Sequence, residues 1–499
     1  MTRLSLFDQL FYKAEKAGLP PLYLAGVMIL DPTQASHRLT PAIIADHIAA
    51  RMEKIPLMRK RIVQDPLRIG SVRLVDDAKF DVHDHISVHT LPRPGGYDEL
   101  TAALGAFSER PLDLAKPPWH YELINGLAGG RMALAIHVHH AVMDGLGAQD
   151  ALSTLYDLKP LKPEKSKKKK WQVAEEGKPL SLLSSAIVEN AERVYIKTPR
   201  YLLKSGIPLA KSLASVLTKQ LGLKETVETD LSPLPPVKKT SLNSGKSSFK
   251  RLIAYVELPI EDARAIRKRF ECSINDLALV LNSAALEHYF KKIREKVDFD
   301  LVAVMPMNAR REGEKGPGNI LTVARVNLHN TIPDLALRLK AIARDTVLIK
   351  SQHRSKPPRA QVDGRGLMEL FSPLVIDSLC FAVAGLNLTS KVTLGNIGIT
   401  NVPGSPVTLY LAGAPVVSGV PMAPVLGGIT ALTITVSSTE KYLLFGYHCD
   451  GGAIKEKDLF VEGARAAFDK LKKLGAPASA GPKRKKVATQ GSRVAARAR

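Results

Sequence analysis

Residues 137 to 148, HVHHAVMDGLGA, gather three histidines, an aspartate and two glycines directly behind the apolar run MALAI. Imidazole titrates near neutral pH, so a neutral ring at position 140 can take a proton from a hydroxyl or amine as that group attacks. The same side chains can hold a metal, because His137 and His139 form an H-x-H pair on one strand face. Such a site needs third and fourth ligands from elsewhere. A competing donor cluster, DVHDHISVH with His83, His85 and His89, fits no standard zinc spacing. A single buried, satisfied histidine explains one of the three rings, but not an adjacent pair followed by Asp-Gly. General base chemistry is therefore the reading carried forward, with no metal. His140 is the base and His139 its support. Asp144 caps the next helix or pairs with an arginine, and Gly145 permits close backbone approach or a positive φ.

These residues need elements to hold them. RMALAIHV reads as a buried strand whose side chains alternate, so His137 and His139 share one face and His140 takes the other. LGAQDALSTLYDL then begins a helix, which places the histidines where a strand end opens into a loop, a usual position for an α/β active site. Before them, PAIIADHIAARM has helical spacing, with Thr40 as N-cap and Pro41 at the first helical position. Residues 1–158 form one unit on this reading. Residues 159–245 form a basic linker, in which the amphipathic stretch 181–223 reads either as packed crossover helices or as an interfacial helix touching lipid. Residues 246–475 restart with the strand RLIAYVEL and the helices PIEDARAIRKRF and INDLALVLNSAALEHYFKKI. The strand DLVAVMPM follows, and EGARAAFDKLKKL closes the unit. Residues 476–499 are a basic, disordered tail. Strands alternating with helices in both halves predict an α/β fold of two sandwich domains.

Composition narrows the partners. The formal charge is +23, yet 159–170 carries a net +6 and 475–499 a net +7, so more than half of it lies in two short runs. Such runs are solvated linkers, or they meet an anionic lipid surface. Nucleic acid is set aside, because the chain is 5% aromatic and its basic runs contain no stacking residues. The three cysteines, Cys272, Cys380 and Cys449, are far apart and odd in number, which argues against a disulfide framework and fits a reducing compartment. The opening residues carry acids and lack the apolar core of a signal peptide, so the expected location is cytoplasmic. From Val392 to Thr439 there is no charged residue, but Pro403, Pro406, Pro415, Pro421 and Pro424 break the run. It reads as buried strands, and no membrane span is predicted. LNSGKSS is not a P-loop, because Thr240 stands where that motif requires glycine.

Read as a pattern, HHAVMDG is HHxxxDG, and it resembles the motif of the chloramphenicol acetyltransferase-like acyltransferases, which include peptide-synthetase condensation domains. Further stretches narrow the likeness: LSLFDQLFYKAE, FDVHDHISVHTLPRPGG, PLDLAKPPWHYELINGL, INDLALVL, GPGN at 316–319 and ITNVPGSPVTLYLAGAPV. In that order they resemble the bacterial wax ester synthase/diacylglycerol acyltransferase family from residue 4 to about 470, with PPW where the family has PLW and NGL where it has EGL. The resemblance implies two chloramphenicol acetyltransferase-like sandwich domains with an active-site channel between them. It implies acyl-CoA as co-substrate, no cofactor, and esterification of long-chain fatty alcohols, diacylglycerol or both. His140 acts as base with direct attack in a ternary complex, and Asn275 and Asp276 support the site from the second domain. Asn275 is a candidate oxyanion donor. The uncharged block is a candidate tunnel wall. Peripheral association with an anionic membrane or lipid inclusion follows from such apolar substrates. Each motif also has a plainer structural reading: Trp119 as core anchor, Asn275 and Asp276 as a helix start, NVPG as a turn. The competing functions are a same-fold acyltransferase for another alcohol or an amine, and a non-catalytic lipid-inclusion surface protein.

Overall fold

The computed structural model describes residues 2–143, 151, 153–164, 178–197, 199–200, 237–243, 247–308, 321–355, 371–387, 389, 393–427 and 429–475. In chain order the first half runs β1 (Thr2–Arg3), α1 (Leu6–Lys16), β2 (Tyr23–Leu30), α2 (Pro41–Arg51), β3 (Lys60–Val63) and β4 (Arg73–Asp76). It continues through β5 (Ile86–Thr90), α3 (Tyr97–Glu109), β6 (Trp119–Asn125) and β7 (Met132–His139). The connecting segment contributes α4 (Pro179–Glu192). The second half opens with β8 (Arg251–Pro259), α5 (Ile260–Arg269), α6 (Ile274–Lys292), β9 (Val302–Asn308), β10 (Leu321–Asn327) and α7 (Leu335–Ser355). It ends with α8 (Pro373–Gly385), β11 (Ile397–Asn401), β12 (Tyr410–Leu411), β13 (Ala414–Met422), β14 (Leu432–Ser438), β15 (Tyr442–Asp450) and α9 (Asp458–Gly475).

The local chemistry explains the starts. Thr40 accepts a hydrogen bond from the Ile43 N–H, and Pro41 occupies the first turn of α2, as its sequence predicts. At α6, Ser273 and Asp276 form a reciprocal capping box.

Two six-stranded sheets carry the fold, in the orders β12-β13-β2-β7-β6-β5 and β10-β9-β11-β14-β15-β8; a small sheet β1-β4-β3 lies beside them. All eight side chains of β7 are buried, because its sheet is covered on both faces. On one face Leu134, Ile136 and Val138 pack with Ile44, Ile48 and Trp119. On the other, Ala133 and Ala135 pack with Leu100, Leu104 and Phe107 of α3. Trp119 is a core anchor, 2% exposed. The second sheet buries Ile434, Phe445 and Tyr447 against Leu281 of α6 and Phe460 of α9.

The sheets do not follow the division of the chain at residue 246. Strands β12 and β13 come from the second half yet join the first sheet, with Val420 opposite Val27 and Met422 opposite Ala25. The physical reason is β2: without β13 it would leave buried apolar residues on an unpaired edge. The uncharged block is strand-rich as expected, but its strands divide between the two sheets. NVPG does not form the expected turn: Asn401 ends β11, the Val402 N–H still donates to the Val436 carbonyl at 2.8 Å, and the chain runs on without a turn past Gly404, where a Cβ would collide with the Ser438 carbonyl oxygen. The halves are also joined directly. Arg251 N–H donates to Glu109 at 2.9 Å, and the Tyr97 hydroxyl accepts from Tyr255 N–H at 3.2 Å while donating to Asp458 at 3.1 Å.

Candidate active site

Strand β7 delivers the histidines and α1 receives them. Phe11 and Glu15 are four residues apart, so they lie on one face of α1. The Phe11 ring stacks on His140, with centroids 4.2 Å apart and planes 23° apart. The Glu15 carboxylate lies 2.9 Å from His139 Nε2. One helical face therefore grips two adjacent imidazoles.

His139 is fully buried. Its Nδ1 accepts the Ala141 N–H at 2.9 Å, so Nε2 carries the proton and donates it to Glu15. The second Glu15 oxygen accepts from the Tyr23 hydroxyl at 3.0 Å, and the Tyr23 oxygen accepts the Leu112 N–H at 3.0 Å. Burial and the neighbouring Glu15 push the Tyr23 hydroxyl well above its ordinary range, so it remains a donor. The network fixes both tautomer and ring plane, the task of a positioning carboxylate. His140 is half-buried, and its backbone N–H donates to the Leu22 carbonyl at 3.2 Å. His139 is thus fully engaged beside a ring that is not sealed in the core.

The third histidine has a different fate. His137 is 2% exposed and stacked on Phe107 at 4.3 Å. Burial, then His120 and Arg110, push it down to about 3; burial likewise pushes His448 down to about 4. Both rings are neutral in the folded chain, whereas the unfolded chain protonates them as pH falls through 6.5. The unfolded state therefore binds more protons below that pH, and stability falls as pH drops toward 4. Each ring contributes up to about 1.4 kcal/mol per pH unit. Melting temperature followed by circular dichroism is expected to decline steadily below pH 6.5, and more shallowly in His137→Leu. An equal slope in that variant would count against this role for His137.

The second histidine cluster is dispersed. His85 donates from Nδ1 to the Trp119 carbonyl at 3.0 Å and stacks on the indole, while His83 is exposed beside Asp81. Among the described residues no group of three or more His, Cys, Asp or Glu is placed to hold a metal. Asp144 and Gly145 lie outside the described residues. Asp276 is buried and uses its oxygens on Ser273 and on the Thr346 hydroxyl at 2.7 Å, tying α6 to α7. Asn275 is half-buried on the first turn of α6. No hydrogen bond links either residue to His139. All three cysteines are buried; burial raises Cys272 to about 11 and pushes Cys380 and Cys449 up as well, which leaves them poor nucleophiles. Shallow hollows lined by Asp469 and Lys473, and by Glu287 and Asn330, lie on the helices of the second half, and neither includes the histidines.

Residues 4–278 match the model of the wax ester synthase/diacylglycerol acyltransferase catalytic domain, and residues 317–472 match that family's C-terminal domain. The chain belongs to the wax ester synthase/diacylglycerol acyltransferase family. It is 28% identical over 481 residues to a probable diacylglycerol O-acyltransferase, Tgs4, of Mycobacterium tuberculosis, covering 94% of this chain and 96% of that one. A putative diacylglycerol O-acyltransferase of the same organism is 28% identical over 445 residues, covering 89% and 93%. The fold is that of the wax ester synthase/diacylglycerol acyltransferase from Marinobacter aquaeolei, with a TM-score of 0.68 and 20% identity, covering 95% of this chain and all of that one. The starter condensation domain of rhizomide synthetase shares it at a TM-score of 0.52 and 14% identity, over 96% and 95% of the two chains. This wax ester synthase/diacylglycerol acyltransferase family member is an acyltransferase. No helix among its described residues is long and apolar enough to cross a membrane.

Glu15, Tyr23 and Phe11, which surround the histidine pair, carry no motif that marks them as its partners in the sequence. Spacing within α1 shows that Phe11 and Glu15 share a face, but nothing in it shows that the face meets β7.

Proposed function

We propose that the chain transfers a long-chain acyl group from acyl-CoA to a fatty alcohol, to diacylglycerol, or to both, with His140 as general base. The observation that carries this reading is the division of labour in the histidine pair. His139 is buried and committed to Glu15 and Ala141, whereas His140 is half-buried at the strand end. His140 takes the hydroxyl proton as the oxygen attacks the thioester carbonyl. The tetrahedral intermediate collapses by breaking the C–S bond, the CoA sulfur leaves as thiolate, and the imidazolium returns the proton to it. Oxygen–carbon bond formation and carbon–sulfur cleavage then balance with no cofactor and no acyl-enzyme. The raised, buried cysteines support that direct route.

Asn275 is the candidate donor to the oxyanion, on a helix start that Asp276 holds in place. Asp144 and Gly145 keep the structural, non-chemical role that their motif implies. A channel between the halves would house the two apolar chains and keep water out, with the uncharged strands of 392–439 as part of its wall. The basic runs at 159–170 and 475–499 favour an anionic membrane or inclusion surface.

The test is product analysis. The purified full chain is given palmitoyl-CoA with hexadecanol, with diacylglycerol, or with a long-chain amine, and products are separated by thin-layer chromatography. Wax ester, triacylglycerol or both are expected. Amide alone, or no product under any condition, overturns the reading.

A further inference from the structure

Two surface helices carry their polarity reversed. On α4 and the helical turn that continues it, Arg193–Lys197, Leu182, Ala186, Glu189 and Arg193 face inward. Leu182 joins Val63 and Val75. Glu189 accepts from Arg3 at 3.2 Å, Arg73 at 3.3 Å and Arg193 at 3.0 Å. A rotation of 100° per residue sends Leu180, Ile187 and Val188 of α4 to the opposite side, where they are 78%, 58% and 68% exposed; on the π-helical turn that follows, Val194 and Tyr195 are 60% and 79% exposed. On α8 the only charged side chain, Asp377, points inward, 2.7 Å from the Nζ of the fully buried Lys13. Outward stand Leu374, Val375, Leu379 and Phe381, each about half exposed. An ordinary surface helix does the reverse, with charge toward water and apolar residues toward the core. Contiguous apolar surface left in water is unfavourable and marks a contact.

Both helices are fastened to the support that grips the histidines. Lys13, which holds α8, lies on α1 between Phe11 and Glu15; Arg3, just before α1, reaches Glu189 of α4. Tyr12 sits in the fields of both Asp377 and Arg68, and the loop bearing Arg68 also presents the Ile69 carbonyl that accepts from Asn190 of α4 at 2.9 Å. The ends of the α4 face carry Lys178 and Arg200 beside a Lys197–Glu192 pair at 3.4 Å, and in the sequence the net +6 run at 159–170 precedes the helix, so the charge around this face is net positive. A second copy docking here through a two-fold axis would bring these like charges together. An anionic surface with an apolar interior complements both the charge and the face.

We propose that the outward faces of α4 and α8 seat on an anionic lipid surface, so that apolar substrates enter beside α1. The proposal rests on the reading of this site as one that esterifies lipids. The experiment is flotation of the full chain with phosphatidylcholine vesicles, with and without phosphatidylglycerol. Wild type is expected to float with the phosphatidylglycerol vesicles. Ile187→Glu/Val188→Glu and Leu379→Glu/Phe381→Glu should each weaken the partition at least about tenfold, since a charge in place of a seated apolar side chain costs more than the 1.4 kcal/mol that a factor of ten represents. Serine at the same positions gives a milder loss and guards against misfolding. Without vesicles, the variants should melt as wild type does and show the same mass by light scattering. Failure of wild type to float, or variants that float equally, overturns the proposal. So does a variant melting well below wild type without lipid, which would mean that the chain itself covers the face. A halved mass in the variants would assign the face to a second copy. Esterification of detergent-dispersed substrates is measured in parallel: its absence in wild type refutes the catalytic reading alone, and its persistence in a non-floating variant isolates the docking role.

Discussion

Replacing His140 by alanine is expected to lower ester formation by about 10²- to 10⁴-fold, the usual contribution of a positioned general base. The fold should survive, because the ring is half-buried at the end of β7 and stacks on Phe11 at 4.2 Å rather than filling the core. Loss of that stack costs about 0.5–1.5 kcal/mol, the ordinary worth of an aromatic pair. The β7 strand does not depend on it: Tyr23 still pairs with His139 and Leu24 with Val138. Circular dichroism melting therefore separates loss of chemistry from loss of structure. The KM for acyl-CoA should move little, because a base acts in the transition state and contributes little to ground-state binding. Asparagine at 140 keeps much of the shape without the basicity, and it should be as inactive as alanine. Full activity in either variant removes His140 from the mechanism.

Much of the fold was legible because period and capping are local properties. Thr40-Pro41 marks the start of α2, and the alternation in RMALAIHV places His137 and His139 on one face, where both meet Tyr23. The buried reading of Trp119 likewise follows from residue type. What remained hidden is non-local. The apolar pattern of residues 414–422 states that a strand forms there, but a pattern of period two names no partner, so its crossing to β2 could not be read. The split of the uncharged block between two sheets has the same cause. The role of α4 depended on knowing which side of an amphipathic helix faces in. Its Glu189, with Arg193 of the next turn, turned out to face the protein because Arg3 and Arg73 wait there, while Glu192 stays outside. The histidine site shows the same limit at the level of one residue: its motif is contiguous, yet the carboxylate that orients it arrives from a helix 124 positions earlier.

That carboxylate has the second large expected effect. Glu15→Ala removes the acceptor of two buried donors at once, His139 Nε2–H and the Tyr23 hydroxyl. A buried donor left without an acceptor costs about 1–3 kcal/mol, so the variant should melt clearly below wild type. It should also lose activity, by about 10- to 100-fold if removal of an orienting carboxylate acts here as it does behind metal-bound histidines. The loss should appear in kcat rather than in KM, because Glu15 touches the histidine and is argued to act through it. Glu15→Gln discriminates between orientation and simple packing. Its amide oxygen can still accept from one donor, but its NH₂ must face the other, so the network is half restored in nearly unchanged volume. The expected order of kcat is Glu above Gln above Ala, with stability following the same order. If Glu15→Ala melts lower yet turns over at the wild-type rate, Glu15 only holds α1 to the sheet, and the His139 tautomer has no bearing on catalysis. If both variants keep wild-type stability and rate, the 2.9 Å contact carries no weight and the positioning role fails.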